Sequence, residues 1–369
     1  MYELTQTQFE RTRSLFAPLL HHLAAESILS GLTPGRLFVD DSNKPRTAVA
    51  WFQHRVYLAG NRSDDNVNQA LHRLFSDVFY PEMCAAGLAQ SAYTLCYTPG
   101  WERVIDVILT GKYPMTGQRY YYRLDPTRRS WQPKLPKEFK LRAVDAELLA
   151  DTRLINLDYV TDEMVSERPS VADFLDKSFG ACIVQQDRIV GWCMSEYNLN
   201  GRCELGIATD PAYQRQGLAQ AAASAVIGEA VHRGYTEIGW VCDADNTPSM
   251  ALAQKLGFAL VHADDTYFAF FDPILNLGIN GNIHLRHQNY QEAVVWYQKA
   301  INQGDAPVWL WWNCAAAWAN LGSQAQTFSC LNHLLDAGFD DRAQLENSDH
   351  FRPYRRTKEW SGLLARFSR

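Results

Sequence analysis

The sequence predicts an α/β fold, a mixed sheet flanked by helices, followed by an all-α C-terminal region. Three observations carry that expectation. The run from Cys203 to Ala219 reads as a short strand, a tight turn containing Pro211, and a glycine that opens a long alanine-rich helix. Helix-like and strand-like stretches alternate on both sides of a proline-rich break at Pro126–Pro136. Beyond Pro273 the strand patterns stop, and apolar positions recur 34 residues apart, as between Ala293 and Thr327 or Tyr297 and Leu331.

A chain of 369 residues with 47% hydrophobic residues is long enough for two or three domains with substantial cores. Its formal charge of −6 argues against nucleic acid as a general partner. The cluster Arg128, Arg129, Lys134, Lys137, Lys140 and Arg142 lies among Pro126, Pro133 and Pro136, and reads as a solvated linker rather than a binding patch. The eight cysteines form no C-x-x-C pair and no zinc-type spacing with histidine, so neither a metal site nor a disulfide is expected. Cys182, Cys193, Cys242 and Cys314 sit in apolar stretches, as small buried hydrophobes do. Glu3, Glu10, Arg11 and Arg13 leave no secretory h-region at the N-terminus. The longest apolar stretch, Val308–Leu321, contains Asn313 and Asn320 and is too short for a bilayer. A cytoplasmic protein without a membrane partner is the expectation.

In the first half, Phe9–Leu32 reads as a helix ended by Gly31 and Pro34, followed by short strands at Leu37–Val39, Ala48–Phe52 and Val56–Leu58. A helix over Val67–Val78, an apolar strand at Tyr93–Tyr97 and a closing strand through Tyr120–Tyr122 follow. The second half opens with strand-like Phe139–Arg142 and a helix near Ala146–Leu157. Phe179–Val184 and Ile189–Met194 then form a hairpin turning at Gln186 and Asp187. Strand Cys203–Ala208 leads to helix Gly217–Arg233, which Gly234 ends and whose negative end suits His232 and Arg233. Strand Glu237–Cys242, helix Pro248–Leu256 and final strands within Phe258–Phe271 complete this half.

The junction before the long helix points to an anion. Gly217 lets backbone approach a ligand closely, and the helix start offers unpaired N–H groups and the positive end of a dipole. The spacing Gln214-x-x-Gly217-x-Ala219 is preceded by Ile207-Ala208-Thr209-Asp210-Pro211 and followed by Asn246-Thr247-Pro248-Ser249 and Lys255-Leu256-Gly257-Phe258. In order and spacing these motifs resemble those of the GNAT (GCN5-related) N-acetyltransferase family. The resemblance implies the GNAT fold, acetyl-CoA as acyl donor and no metal. It also implies a loop of Gln214, Arg215, Gln216, Gly217, Leu218 and Ala219 around the donor's pyrophosphate. Ile207, Ala208 and Thr209 would pair with the pantetheine arm and polarise the thioester through a backbone N–H. Asn246 matches the family's cofactor-facing Asn, and equally suits a cap for the helix that Pro248 begins.

The first half echoes the same plan, so two tandem GNAT-like units are expected. Residues 1–125 would form a degenerate unit, because Asn61-Arg62-Ser63-Asp64-Asp65 lacks the loop signature. Residues 126–137 would form a basic proline-rich linker, 138–272 the catalytic unit, and 273–369 a helical domain. There, Ala293, Tyr297 and Ala300 resemble the second helix of a tetratricopeptide (TPR) repeat, with Thr327, Leu331 and Leu334 one period later. Gly281 pairs with Ala315 and His284 with Trp318 on the first helices, and a helix holding Trp360, Leu363, Leu364 and Phe367 would cap the stack. Trp311 and Trp318 fall on packing positions; Trp309 and Trp312 are the candidates for exposure in a peptide-binding groove.

Strand alternation places Glu204, Gly206 and Ala208 on one face, and Leu205 and Ile207 on the other. Two small residues beside a carboxylate leave room for a substrate, so Glu204 is the first candidate general base, acting through water. A strand-end Glu held in an ion pair is the structural alternative. Glu196 is the second candidate and Asp243 the third. The family's leaving-group Tyr position reads Ala253, and its alternative base region reads Trp240-Val241-Cys242. Tyr267 is either a substitute acid or a core aromatic, and a thiol of pKa roughly 8.5 needs little acid assistance in leaving. Cys203 and Cys242 read as inert core thiols rather than acyl carriers. The expected function is direct transfer of acetyl from acetyl-CoA to an amine of a protein, peptide or small molecule, in a bacterial-type enzyme. The alternative is an acyl-CoA-binding scaffold or sensor whose TPR-like tail recruits a protein partner.

Overall fold

A computed structural model describes residues 1–60, 64–128 and 130–368. Asn61, Arg62, Ser63 and Arg129, which enter the loop and basic-cluster readings above, lie outside the described residues. The chain divides into two compact units. One comprises Met1–Leu74, Tyr93–Ile108 and Thr116–Phe268; the other comprises Phe75–Ala92, Leu109–Met115 and Ala269–Arg369.

The first half of the chain runs β1 (Tyr2–Glu3), α1 (Leu23–Leu29), β2 (Arg36–Val39), β3 (Thr47–Phe52), β4 (Arg55–Gly60), α2 (Asp65–Arg73), α3 (Tyr80–Ala85), β5 (Ala92–Tyr97), α4 (Ile105–Ile108) and β6 (Met115–Leu124). The second half runs β7 (Phe139–Ala143), α5 (Ala146–Ala150), α6 (Asp158–Glu167), α7 (Val171–Lys177), β8 (Gly180–Gln185), β9 (Arg188–Leu199), β10 (Arg202–Thr209), α8 (Leu218–His232), β11 (Glu237–Asp243), α9 (Thr247–Leu256) and β12 (Ala259–Phe270).

The strands form one sheet in the order β1-β2-β3-β4-β5-β12-β6-β11-β10-β9-β8-β7. Exchanging each strand of the first half for the one six places later reproduces this order reversed. The pairing senses obey the same relation, since β4 and β5 run parallel, as do β10 and β11, and the outer pairs are antiparallel. The expected tandem units are therefore present, and they have exchanged their last strands. β6 from the first half pairs with β11, bringing Arg119 opposite Asp243 and Tyr121 opposite Val241. Residues of one half are thereby built into the sheet of the other.

Apolar alternation fixes the two faces in the second half. Leu205 packs with Leu218, Ala222, Val226 and Trp240 on the α8–α9 side, with Ile207 against them. Ala208 instead lies against Val160, Met164 and Phe174 of α6 and α7. Three expectations need correction in this unit. Phe9–Leu32 is not one helix: it is 3-10 turns at Gln6–Thr12 and Ala17–Leu19, then α1, with extended backbone at His22. Pro18 disfavours α geometry at the residue before it, which accounts for the break. The helix expected over Ala146–Leu157 stops at Ala150, and Asn156 adopts φ 70°. The proline-rich stretch is not a purely solvated linker. Trp131 and Leu135 pack against the α8 core, and the Trp131 indole N–H donates to Pro126 O (2.8 Å).

Besides α3, the second unit contains α10 (Pro273–Arg286), α11 (Tyr290–Ile301), α12 (Val308–Asn320), α13 (Gln324–Asp336), α14 (Arg342–Asn347) and α15 (Lys358–Leu364). Residues 34 apart occupy equivalent buried places: Ala293, Tyr297 and Ala300 on α11, and Thr327, Leu331 and Leu334 on α13. Gly281 is small because a Cβ there would stand 2.5 Å from the Tyr297 ring. Trp309 and Trp312 are packed rather than presented to a groove. Trp309 lies where a Cβ on Gly278 would meet its ring, and Trp312 sits against Phe339 and Phe351.

Candidate active site

The site begins where β10 and β11 part. They pair only from Arg202 opposite Glu237 to Glu204 opposite Gly239. β10 continues to Thr209 against β9, but among the described residues it has no ladder partner on its other side beyond Glu204. The equivalent strands of the first half stay joined from Arg55 opposite Thr94 to Leu58 opposite Tyr97, and the Thr98 N–H donates to Leu58 O (2.9 Å). One half is thus open where the other is closed. A cavity of about 250 Å³ fills the opening, lined by Glu196, Glu204, Gly206, Ile207, Asp243, Asn246, Arg55 and Arg119 among others. The Asp210 N–H donates to Val190 O (2.9 Å) on the β9 side. Backbone alternation then turns the N–H groups of Ile207 and Thr209 toward the open side.

The loop after β10 is built to leave donors free. Asp210 accepts from the Ala212 N–H (3.0 Å) to fix the turn, and Gln214 Nε2 donates to Thr209 O (3.2 Å). Arg215 (φ 61°) and Gly217 (φ 82°) take left-handed backbone, an arrangement that converges N–H groups on one point. Gly217 is the N-cap of the 15-residue α8, with no side chain bonded to its first turn and open space where a Cβ would be. Gln214, Arg215, Gln216 and Gly217 are exposed, while Leu218 is buried and Ala219 half-buried, anchoring the helix start. The corresponding helix of the first half differs. Asp64 caps α2, accepting from the Asn66 and Val67 N–H groups (2.9 and 3.4 Å) and placing a carboxylate where an anion would sit.

The acids converge on the opposite face. Glu204 and Glu196 are cross-strand partners on β10 and β9, 8% and 9% exposed. Glu204 Oε1 accepts from the Leu23 N–H at the start of α1 (3.2 Å). The space beside Gly206, expected to be free, is taken by Glu196: a Cβ on Gly206 would stand 1.8 Å from its Oε1. Glu163 and Glu167 of α6 complete the cluster, with Glu167 held by Arg55 (2.8 Å). Burial, then the neighbouring carboxylates Glu167 and Glu163, push Glu196 well above the usual carboxylate range. Burial raises Glu163 to about 6 and raises Glu204 as well, with Arg55 opposing the rise in both. The cluster therefore carries carboxyl groups that keep their protons to higher pH than ordinary carboxylates do.

Other sequence candidates take definite places. Asn246 Oδ1 accepts from the Ser249 N–H (3.1 Å), capping α9, and the residue also lines the cavity. Asp243 lies at the rim, 3.7 Å from Arg119. Tyr267 packs its ring against Tyr97 and is not a cavity residue. Ala253 is fully buried, and Cys203 is a core thiol pushed up by burial. Sequence reasoning missed Arg55, Arg119 and Glu163. None belongs to a local motif, and the two arginines reach the site only through the pairing of the two halves.

The sequence model of the GNAT acetyltransferase family matches residues 13–267, ending before α10. The chain is 25% identical over 279 residues to the uncharacterized N-acetyltransferase YdfB of Bacillus subtilis (strain 168), covering 73% of this chain and 98% of that protein. A GCN5-related N-acetyltransferase-like protein from Streptococcus suis 89/1591 shares the fold, with TM-score 0.51 and 22% identity over 71% of this chain and 98% of that one. A GCN5-related N-acetyltransferase from Sphaerobacter thermophilus matches with TM-score 0.50 and 14% identity, over 73% and 95% of the two chains. Among the described residues no helix is long and apolar enough to cross a membrane. With the parted strands, the bare helix start and the family match together, this chain belongs to the GNAT acetyltransferase family and is an acyltransferase.

Proposed function

We propose that the chain transfers acetyl directly from acetyl-CoA to an amine, using only the second half's opening for the donor. The observation that carries this is the parting of β10 and β11 directly beside the uncapped start of α8. Gln214, Arg215, Gln216, Gly217, Leu218 and Ala219 hold the pyrophosphate, whose charge suits free N–H groups and a helix dipole. The pantetheine arm adds along Ile207, Ala208 and Thr209, with Asn246 at the cavity wall.

The amine arrives as an ammonium ion. Glu204, with Glu196 beside it, takes a proton through water, and raised carboxyl pKa values make each a stronger base than an ordinary carboxylate. The free nitrogen attacks the thioester carbonyl, and the outward N–H of Ile207 stabilises the developing oxyanion. The C–S bond breaks, CoA leaves as thiolate, and the nitrogen loses its remaining extra proton to solvent. We read the C-terminal helices as TPR-like, on the strength of their equivalent buried positions 34 residues apart, and as a seat for a protein or peptide partner. Acceptor-dependent release of CoA, followed with an amine panel, tests the transfer. Glu204→Gln should cut kcat/KM by about 10²-fold or more, the usual weight of a positioned base. Binding of acetyl-CoA with no acceptor-dependent release would leave the chain as an acyl-CoA-binding scaffold.

A further inference from the structure

We infer that the acceptor is a small amine that also carries an oxyanion group, a carboxylate or a phosphate, and that Arg119 binds that group. The inference rests on the reading of Glu196 and Glu204 as the amine's end of the cavity. Arg119 comes from β6, the strand contributed by the first half, and its side chain is only 18% exposed. It lines the cavity together with the two glutamates. Its one ion-pair neighbour among the described residues, Asp243, stands 3.7 Å away and is 65% exposed, beyond hydrogen-bond reach. Among the described residues the Arg119 guanidinium has no hydrogen bond. Facing the cavity without a protein acceptor, its fork of N–H groups is available to an oxyanion, which it matches two bonds at a time.

Arg55 also lines the cavity, but it sits among the acids, with one nitrogen held by Glu167 (2.8 Å). The cavity therefore has carboxylates on β9 and β10, and its unbonded guanidinium is that of Arg119 on β6. An ammonium at the first and an oxyanion at the second fit this division; a polycation would set its second charge against Arg119. Glu204, Glu196 and Arg119 are withdrawn from the surface, at 8%, 9% and 18% exposed, so both of the acceptor's charges must enter the cavity, which favours a small acceptor. The degenerate half thereby gains a function of its own, since it supplies the cation that selects the acceptor.

The test compares matched acceptors with the full chain and acetyl-CoA. Amino acids are set against their amides, and phosphoethanolamine against ethanolamine. The wild type should prefer the anionic member of at least one pair by about ten- to a hundred-fold in kcat/KM, and the pair that responds distinguishes carboxylate from phosphate. Arg119→Gln should remove that preference mainly through KM and leave acetyl-CoA affinity unchanged. Arg119→Lys, which keeps the charge but not the fork, should restore part of it and guards against a folding defect. Equal rates for both members of every pair, or a preference that survives in Arg119→Gln, overturns the inference. So does binding of acetyl-CoA with acetylation of none of these amines, which leaves the donor site standing. Failure to bind acetyl-CoA overturns the reading beneath both.

Discussion

Gly206 offers the sharpest structural perturbation of the acid cluster. In Gly206→Ala the new Cβ would stand 1.8 Å from Glu196 Oε1, 2.9 Å from its Cδ and 3.3 Å from Glu163 Oε1. Ordinary contact starts near 3.4 Å, so the Glu196 Oε1 must retreat by about 1.6 Å (3.4 less 1.8). The obstacle is the tip of a flexible side chain, so the fold should survive, at about 1–2 kcal/mol of overpacking. A domain of this size should then melt roughly 2–8 °C lower. Function should suffer more, because Glu163 blocks one retreat and the cavity is the other. Steady-state kinetics should give a loss of about 10²-fold in kcat/KM, with acetyl-CoA affinity within about two-fold of wild type. In the Glu196→Ala background the clash is gone, and Gly206→Ala should then be neutral or slightly stabilising. Equal melting shifts in the two backgrounds, or full activity in Gly206→Ala, would refute the packing of Glu196 over Gly206.

Further outcomes follow from the same geometry. Burial raises Glu204 and Glu196 above the usual carboxylate range, so kcat/KM should still be rising with pH where an ordinary carboxylate has finished titrating, and Arg55→Lys, with a weaker grip on the cluster, should move that rise upward. A flat profile from pH 5 to 8 would contradict it. Glu163 is raised from 4.5 to about 6, so its protonated form favours the folded state below the unfolded value, and that contribution is lost as pH climbs through 6. Glu163→Gln should remove up to about 2 kcal/mol of this pH dependence, read as a smaller fall in melting temperature between pH 5 and 8 than in the wild type. Trp360, buried in the helical core, should cost about 3–5 kcal/mol when cut to alanine, measured by loss of the second unit's thermal transition; an unchanged transition would put it outside the core.

The second half was legible in the sequence because its signals are local. Gly217, Pro211 and Gly234 punctuate the strand–turn–helix run, and alternation from Glu204 to Ala208 assigns each side chain to the face it takes. Three other features were not legible, each for a physical reason. Glu196 fills the gap beside Gly206 because two strands meet in one particular register, which no single strand encodes. The exchange of β6 and β12 depends on long-range pairing, so the arrival of Arg119 beside Asp243 has no signal in its own neighbourhood. Helix α6, the source of Glu163 and Glu167, buries only Val160 and Met164 as apolar residues, a stripe too weak to mark a helix beyond Leu157.

Everything proposed for this chain depends on acetyl-CoA being held in the opening after Glu204 and at the bare start of α8. Calorimetric titration of the purified chain with acetyl-CoA tests it most directly, with free CoA and the Gly217→Glu variant as controls. Glutamate at that position would bring strain at φ 82° and a carboxylate to the place proposed for the pyrophosphate. The wild type should show saturable one-to-one binding, lost in Gly217→Glu while the variant still melts cooperatively. No binding by the wild type, or equal binding by the variant, would contradict it.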